Sequence, residues 1–282
     1  MPSTTFFSGR EKGMETNHAI GGSSRLLQGE PGQTPPGTSG ANGANSERLL
    51  VEFVVERTDD IGYGIQAKYL KYHDQRLKYK AVVKGGRVVA IVTRRYKVIP
   101  NEKVLGILSK LMQADKAETT ETRLVWVAKL DETFAVRVMN SIDGTLALSV
   151  SLLVFGVPLR RAVVERFDVK QVYRRHFDRL NEADILVKSI EHIKQFVAEF
   201  GNQLREYLAI RVDDVVVQSF AQSKLPKKYL NGLNAYVGKP FGELVSSITR
   251  KIWSADLNPL VRQAYLEELA AIVWEVVLSK NP

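Results

Sequence analysis

The chain has 282 residues, of which 44% are hydrophobic and none is cysteine, and its net charge is +9. The apolar share allows a buried core, whereas the lack of cysteine excludes disulfides, thiolate nucleophiles and zinc–sulfur sites. No apolar run approaches the ~20 residues of a membrane span, and the polar N-terminus does not resemble a signal peptide, so we expect a cytoplasmic protein that does not contact membranes.

The N-terminal segment, residues 1–46, is dominated by Gly, Ser, Thr, Pro and Asn. It has too few large apolar side chains to offset the entropy of ordering, which predicts a disordered tail. Residues 49–56 (LLVEFVVE) are rich in β-branched and aromatic residues and predict a first strand, and residues 58–62 predict a turn after it.

A β-hairpin is predicted over residues 77–93, where the runs KYKAVVK and RVVAIVT flank Gly85 and Gly86. Two consecutive glycines supply the positive φ angles of a type I′ turn. In the first run one parity carries the cations Lys78, Lys80 and Lys84, and the other carries Tyr79, Ala81 and Val83. Because successive side chains of a strand point to opposite faces, we expect a buried tyrosine face and a row of lysines toward solvent.

The next segment predicts a helix and an antiparallel meander. The helix begins near Pro100, and Asn101 is expected to cap its free backbone amides. The meander strands are predicted at 123–130, 133–140 and 146–155, with tight turns at 131–132 and 141–144. Such short connections require antiparallel pairing, because parallel neighbours need a crossover.

Helical periodicity dominates the rest of the chain. The predicted helices are 184–208, 213–222, 241–253 and 259–278. Strands followed by helices indicate an α+β fold, in which an antiparallel sheet of basic hairpin plus meander packs with helices and a helical C-terminal section follows. We divide the chain into the tail 1–46, a core domain 47–210 that binds nucleic acid, and a helical region 211–282.

The positive charge of the chain is concentrated around the hairpin. Between residues 68 and 97 the only anion is Asp74, and the ten cations are Lys68, Lys71, Arg76, Lys78, Lys80, Lys84, Arg87, Arg94, Arg95 and Lys97. The tyrosines among them are Tyr69, Tyr72, Tyr79 and Tyr96. Cations beside aromatic rings can hold single-stranded nucleic acid through phosphate contacts and base stacking. The alternative is a solvated sheet face whose lysines prevent aggregation.

A second basic cluster lies between residues 160 and 179. Its candidate contacts to nucleic acid are Arg160, Arg161, Arg174 and Arg175. Arg160 and Arg161 directly follow the last meander strand, so they could flank a groove between sheet and helices. A solvated helix face with internal ion pairs explains the cluster equally well.

Signals for catalysis, metals or cofactors are weak, and we predict none of the three. The sequence has no Walker A loop, HExxH motif or nucleophile elbow. Asp131, Glu132 and Asp143 could be magnesium ligands of a nuclease, but all three fall in predicted turns, where Asp is favoured for backbone reasons. A further alternative is a protein-interaction module built on the C-terminal helices around Trp253 and Trp274.

Two separated motifs carry a resemblance to a known family. The strings RYKVIPNE at 95–102 and NSIDGTLAL at 140–148 resemble a family of uncharacterised proteins borne on phages and plasmids, over about residues 49–208. The residues that match the family motif are Tyr96, Asn101, Asn140, Asp143 and Gly144.

This family distantly resembles the single-strand annealing proteins of recombination, which form rings or filaments and hold one DNA strand by its backbone. The resemblance implies a homo-oligomeric, non-catalytic protein that binds or anneals single-stranded DNA in recombination, repair or replication. The basic hairpin, together with Arg160 and Arg161, would then contact the DNA.

Overall fold

The computed structural model describes residues 53–160, 172–174 and 181–281. These residues contain ten strands, arranged in two antiparallel sheets, and six α-helices. The fold class is α+β, as the sequence predicts, and the C-terminal part is helical. The tail predicted over residues 1–46 lies outside the described residues.

The first sheet has four strands in the order β1-β2-β3-β4. Their bounds are Val54–Gly62 (β1), Ile65–Tyr72 (β2), Gln75–Lys84 (β3) and Arg87–Thr93 (β4). The second sheet has the order β10-β8-β7-β6-β5, and β9 pairs with β8. Its strands are Lys116–Thr119 (β5), Arg123–Lys129 (β6), Phe134–Ser141 (β7), Leu148–Val154 (β8), Val157–Pro158 (β9) and Val172–Arg174 (β10). The predicted meander is confirmed as β6, β7 and β8.

The helices agree with the sequence periodicity. Their bounds are Asn101–Leu111 (α1), Glu182–Tyr207 (α2), Asp214–Ala221 (α3), Lys227–Leu230 (α4), Phe241–Ser254 (α5) and Pro259–Lys280 (α6), with a 3₁₀ turn at Leu233–Tyr236. The four helices predicted beyond residue 183 are confirmed. In the described part of the chain, every helix is too short or too polar to cross a membrane.

The β3–β4 hairpin is confirmed, with its turn at Gly85 and Gly86. Their φ angles of 56° and 81° are both positive, as a type I′ turn requires. The turn predicted at residues 58–62 is wrong, because these residues belong to β1. The chain reverses instead at Tyr63 and Gly64, whose φ angles of 56° and 70° form a second tight hairpin.

The described residues form two apolar cores and a third, small cluster of Val127, Ala135 and Leu153. The larger one joins one face of the six-stranded sheet to all six helices, and Trp126 of β6 and Trp274 of α6 are both fully buried in it. The smaller one, here called the second core, consists of Ile65, Val82, Val92, Val98 and Ile142. Ile142 comes from the β7–β8 loop, so this core attaches the four-stranded sheet to the rest of the molecule.

Candidate nucleic-acid interface

The predicted solvent-facing row of lysines on β3 is wrong. Lys80 is only 4% exposed, and Lys84 donates from Nζ to Glu102 Oε1 at 3.0 Å. The register pairs Lys80 with Tyr69 and Val92, on the same side as Val82, which belongs to the second core. This parity therefore faces the protein, and only Lys78 of the three remains exposed.

The opposite side of the four-stranded sheet is the one that faces solvent, and we call it the outer face. Its members, identified from the cross-strand register, include Lys68, Tyr79, Ala81, Val83, Val88 and Ile91. Tyr79 and Ile91 are each 51% exposed. Ala81 and Val83 share this face but are buried; Ala81 lies between Lys68 and Ile91, and Val83 lies between Gln66 and Val88.

Carboxylates from outside the basic segment neutralise four of its ten cations. Glu56 of β1 binds Arg76 at 2.6 Å and Arg94 at 2.5 Å, and the hydrogen bond from Arg94 lowers the pKa of Glu56 below its ordinary value. Glu102 binds Lys84, and Glu182 binds Lys97. These four cations are therefore engaged within the protein.

Five other predicted cations keep their charge available. No carboxylate of the described residues lies within salt-bridge distance of Lys68, Lys71, Lys78, Arg87 or Arg95. Lys78, Arg87 and Arg95 are exposed, and Lys68 and Lys71 are half-buried. Tyr72, at the end of β2, is 37% exposed, and its ring lies edge-on to His73 with centroids 4.2 Å apart. By the register, Lys68 lies on the outer face with Tyr79 and Ile91, whereas Lys78 and Arg87 lie on the parity of Lys80 and Lys84, where they remain exposed near the strand ends.

The second basic cluster falls largely outside the described residues. Arg160 is exposed directly after β9, and Arg174 ends β10, which pairs with β8. Arg161 and Arg175 lie outside the described residues, so their predicted contacts stay predictions.

A group of cations around Tyr69 was not predicted as a unit. We call it the Tyr69 cluster, and its members are Tyr69, Arg57, Lys80 and Arg94. The charged groups of Arg57, Lys80 and Arg94 lie 4.2, 5.1 and 5.3 Å from the centroid of the Tyr69 ring. Arg57 lies on β1, outside the basic segment, and the pairing of β1 with β2 brings it to Tyr69.

Tyr96, Asn101 and Asn140, from the two sequence motifs, meet between the two sheets, where they have structural roles. Tyr96 donates from its hydroxyl to the carbonyl of Ser141 at 2.7 Å, and burial raises the pKa of Tyr96. Asn140 Nδ2 donates to the carbonyl of Ile99 at 2.9 Å and to Asn101 Oδ1 at 2.8 Å. The expectation that Asn101 caps α1 is wrong, because its side chain is 1% exposed and bonds to Asn140 instead.

The three candidate metal ligands do not meet. Asp131 and Glu132 precede β7 and Asp143 follows it, and an eight-residue strand separates its ends by roughly 25 Å. Asp131 accepts hydrogen bonds from the backbone amides of Thr133 and Phe134, as expected of a turn residue. The described ranges contain no group of three potential metal-ligating side chains.

Comparison of the sequence and the structure with family models, curated proteins and solved structures finds no match.

Proposed function

We propose that the protein binds single-stranded nucleic acid, with DNA favoured, on the four-stranded sheet. The observation that carries this proposal is the coincidence on one sheet of five cations without described carboxylate partners and exposed Tyr79, Val88 and Ile91. The role that follows is non-catalytic binding or annealing of strands in recombination, repair or replication, by a protein that acts as an oligomer.

The chemistry of this surface fits a single strand better than a duplex. Lysine and arginine neutralise phosphates and release counterions, which gives affinity without sequence preference. The 51% exposed ring of Tyr79 and the neighbouring side chain of Ile91 offer a surface on which an unpaired base can stack. In a duplex the base faces are already stacked on each other, so only the phosphate contacts would remain.

Fluorescence anisotropy of labelled single-stranded DNA, RNA and duplex DNA at several salt concentrations tests the proposal. If all five cations contact phosphates, the slope of log K against log salt is about −3.5, and Lys68→Gln or Arg95→Gln should each reduce its magnitude by about 0.7. Lys110→Gln on α1 is the matched control, because Lys110 is exposed and lies outside this sheet.

The aromatic contribution is measured in the same titrations. Tyr79→Ala should weaken single-strand binding by about 1–3 kcal/mol and leave the salt slope unchanged, since stacking releases no counterions. Val215→Ala, which removes a 62% exposed apolar side chain on α3, should have no effect. Salt-independent binding, or no binding by the wild-type protein, would refute the proposal.

A further inference from the structure

The Tyr69 cluster brings three positive charges from separate parts of the sheet around one ring. Arg57 belongs to β1, Lys80 to β3, and Arg94 follows β4. Their distances of 4.2, 5.1 and 5.3 Å from the ring centroid place any two of the three charges no more than about 10 Å apart. The side chain of Arg57 is 61% exposed, so the cluster reaches the surface.

The carboxylates near the cluster do not balance its charge. Glu56 is shared between Arg76 and Arg94, and Asp59 binds Arg57 at 2.9 Å. Lys80 has no carboxylate partner among the described residues, and its Nζ donates only to the neutral hydroxyl of Tyr69, at 3.4 Å. A buried ammonium group without a counter-charge is costly, because burial removes its hydration.

Lys71 adds to this excess. It lies on β2 directly opposite Arg76 of β3, two residues from Tyr69 along the strand. Arg76 is paired with Glu56, whereas Lys71 has no carboxylate of the described residues within salt-bridge distance. An anion bound at this end of the sheet would offset the uncompensated charges of Lys71 and Lys80.

We propose that the Tyr69 cluster is a phosphate-binding subsite. Part of each guanidinium group is already used, because Arg57 binds Asp59 and Arg94 binds Glu56 and the carbonyls of Leu77 and Leu70. The ammonium of Lys80 and the remaining N–H groups of the two arginines supply charge-assisted donors to phosphate oxygens, and the Tyr69 hydroxyl can donate one more hydrogen bond. We expect the bound phosphate to belong to the backbone of a nucleic-acid strand, and this expectation rests on the proposed function. That the cluster binds phosphate at all is independent of the proposed function.

Thermal unfolding of the full chain in sodium chloride and in sodium phosphate at equal ionic strength tests the subsite without nucleic acid. Phosphate also stabilises proteins non-specifically, and that part should be the same in every variant. We expect Lys80→Met to unfold at the same or a higher temperature than wild type in chloride, because the uncompensated ammonium is gone, and to lose the phosphate-specific part of the stabilisation. Lys110→Met, at an exposed lysine of α1 outside this sheet, should behave as wild type.

A lower melting temperature for Lys80→Met in chloride, or an undiminished response to phosphate, would overturn the subsite. Arg57→Gln is a second variant whose side chain lies mostly in solvent, so it should fold, and it should also reduce the response to phosphate.

Anisotropy titration with a single-stranded oligonucleotide then tests the source of the phosphate. Lys80→Met should weaken binding by about tenfold, the effect of losing one charge-assisted contact. If wild type and Lys80→Met bind the oligonucleotide equally well, the subsite is refuted as a nucleic-acid contact and the proposed function stands. If wild type responds to phosphate but binds no oligonucleotide, the proposed function is refuted and the phosphate site stands.

Discussion

Glu182 is a buried carboxylate between two lysines at the start of α2. Its side chain is 6% exposed and accepts hydrogen bonds from Lys97 Nζ at 3.0 Å and from Lys103 Nζ. Burial alone would raise its pKa, but the hydrogen bonds and charges of the lysines outweigh that effect and lower the pKa from 4.5 to about 2. Through Lys97, Glu182 links the segment after β4 to helix α2, and through Lys103 it links helix α1 to helix α2.

This pKa makes stability depend on acid pH. Because the folded-state pKa lies below the unfolded value of 4.5, the ionised carboxylate stabilises the fold above that pH, and the contribution disappears as pH falls toward about 2. We expect Glu182→Gln to lower the free energy of unfolding at pH 7 by about 2 kcal/mol, the usual size of a hydrogen bond to a charged group, and to flatten its decline between these two pH values. Urea unfolding as a function of pH measures both effects.

Glu191→Gln is the matched control for this prediction, because Glu191 is an exposed glutamate on the same helix. It should change neither the stability at pH 7 nor its dependence on acid. Equal behaviour of the two variants would show that the two lysines do not stabilise the ionised form of Glu182.

At the scale of elements, the β8–β9 turn and helix α5 touch through a glycine. Gly156 has a φ of 81°, and a Cβ added there would lie 2.5 Å from Cγ2 of Thr249 on α5. A second close approach lies nearby, where a Cβ on Gly242 would meet the ring of Phe155 at 2.5 Å. The absence of side chains at these two positions lets the helix pack directly on the turn.

Gly156→Ala should therefore destabilise the protein through both strain and overlap. Gly86 has the same φ of 81° but open space around it, so Gly86→Ala measures the backbone strain alone. We expect Gly156→Ala to cost about 1–3 kcal/mol more than Gly86→Ala in chemical denaturation, which is the usual cost of overpacking.

The double variant Gly156→Ala with Thr249→Ser isolates the overlap, because serine lacks the clashing methyl group. It should recover most of the extra cost relative to Thr249→Ser alone. If it recovers none, the contact between Gly156 and Thr249 does not limit the packing of α5.

Local sequence patterns predicted most strands and helices, but they failed where contacts with residues distant in the chain decide which side of a strand is buried. The Gly85-Gly86 turn and the amphipathic period of α2 are properties of a few adjacent residues, so the sequence suffices for them. β3 has apolar residues on both parities, and the side that packs inward is the one whose Val82 joins the second core, which includes Ile142, sixty residues further along. The outer face was therefore assigned to the wrong parity.

The candidate site shows the same limit. The composition of residues 68–97 shows that this segment carries excess cations. It does not show that Glu56, Glu102 and Glu182 neutralise some of them, because all three carboxylates lie outside the segment. Arg57 joined the Tyr69 cluster through strand pairing, which a single sequence does not disclose. The sequence did predict which β-hairpin carries the excess positive charge.

At the scale of the whole molecule, buried contacts join the C-terminal helix α6 to the six-stranded sheet. Trp274 of α6 donates from Nε1 to the carbonyl of Pro158 at 2.8 Å, and both residues are buried. On the other face of the sheet Arg137 of β7, 4% exposed, donates to Gln263 of α6 at 2.8 Å and binds Glu267 at 3.2 Å. A buried arginine that lost these partners would be strongly destabilising, so α6 and the sheet depend on each other.

We therefore expect residues 53–281 to unfold in one cooperative transition and not in two steps divided near residue 210. The chain has three tryptophans, and two variants can report on its two parts separately: one keeps only Trp126 in β6 and the other keeps only Trp274 in α6. Guanidinium denaturation followed by fluorescence of each variant and by circular dichroism should give coincident midpoints, the usual test of two-state behaviour. Separate midpoints for the two tryptophans would mean that residues 211–282 fold as an independent unit, and that the buried contacts of Arg137 and Trp274 do not couple the helices to the sheet.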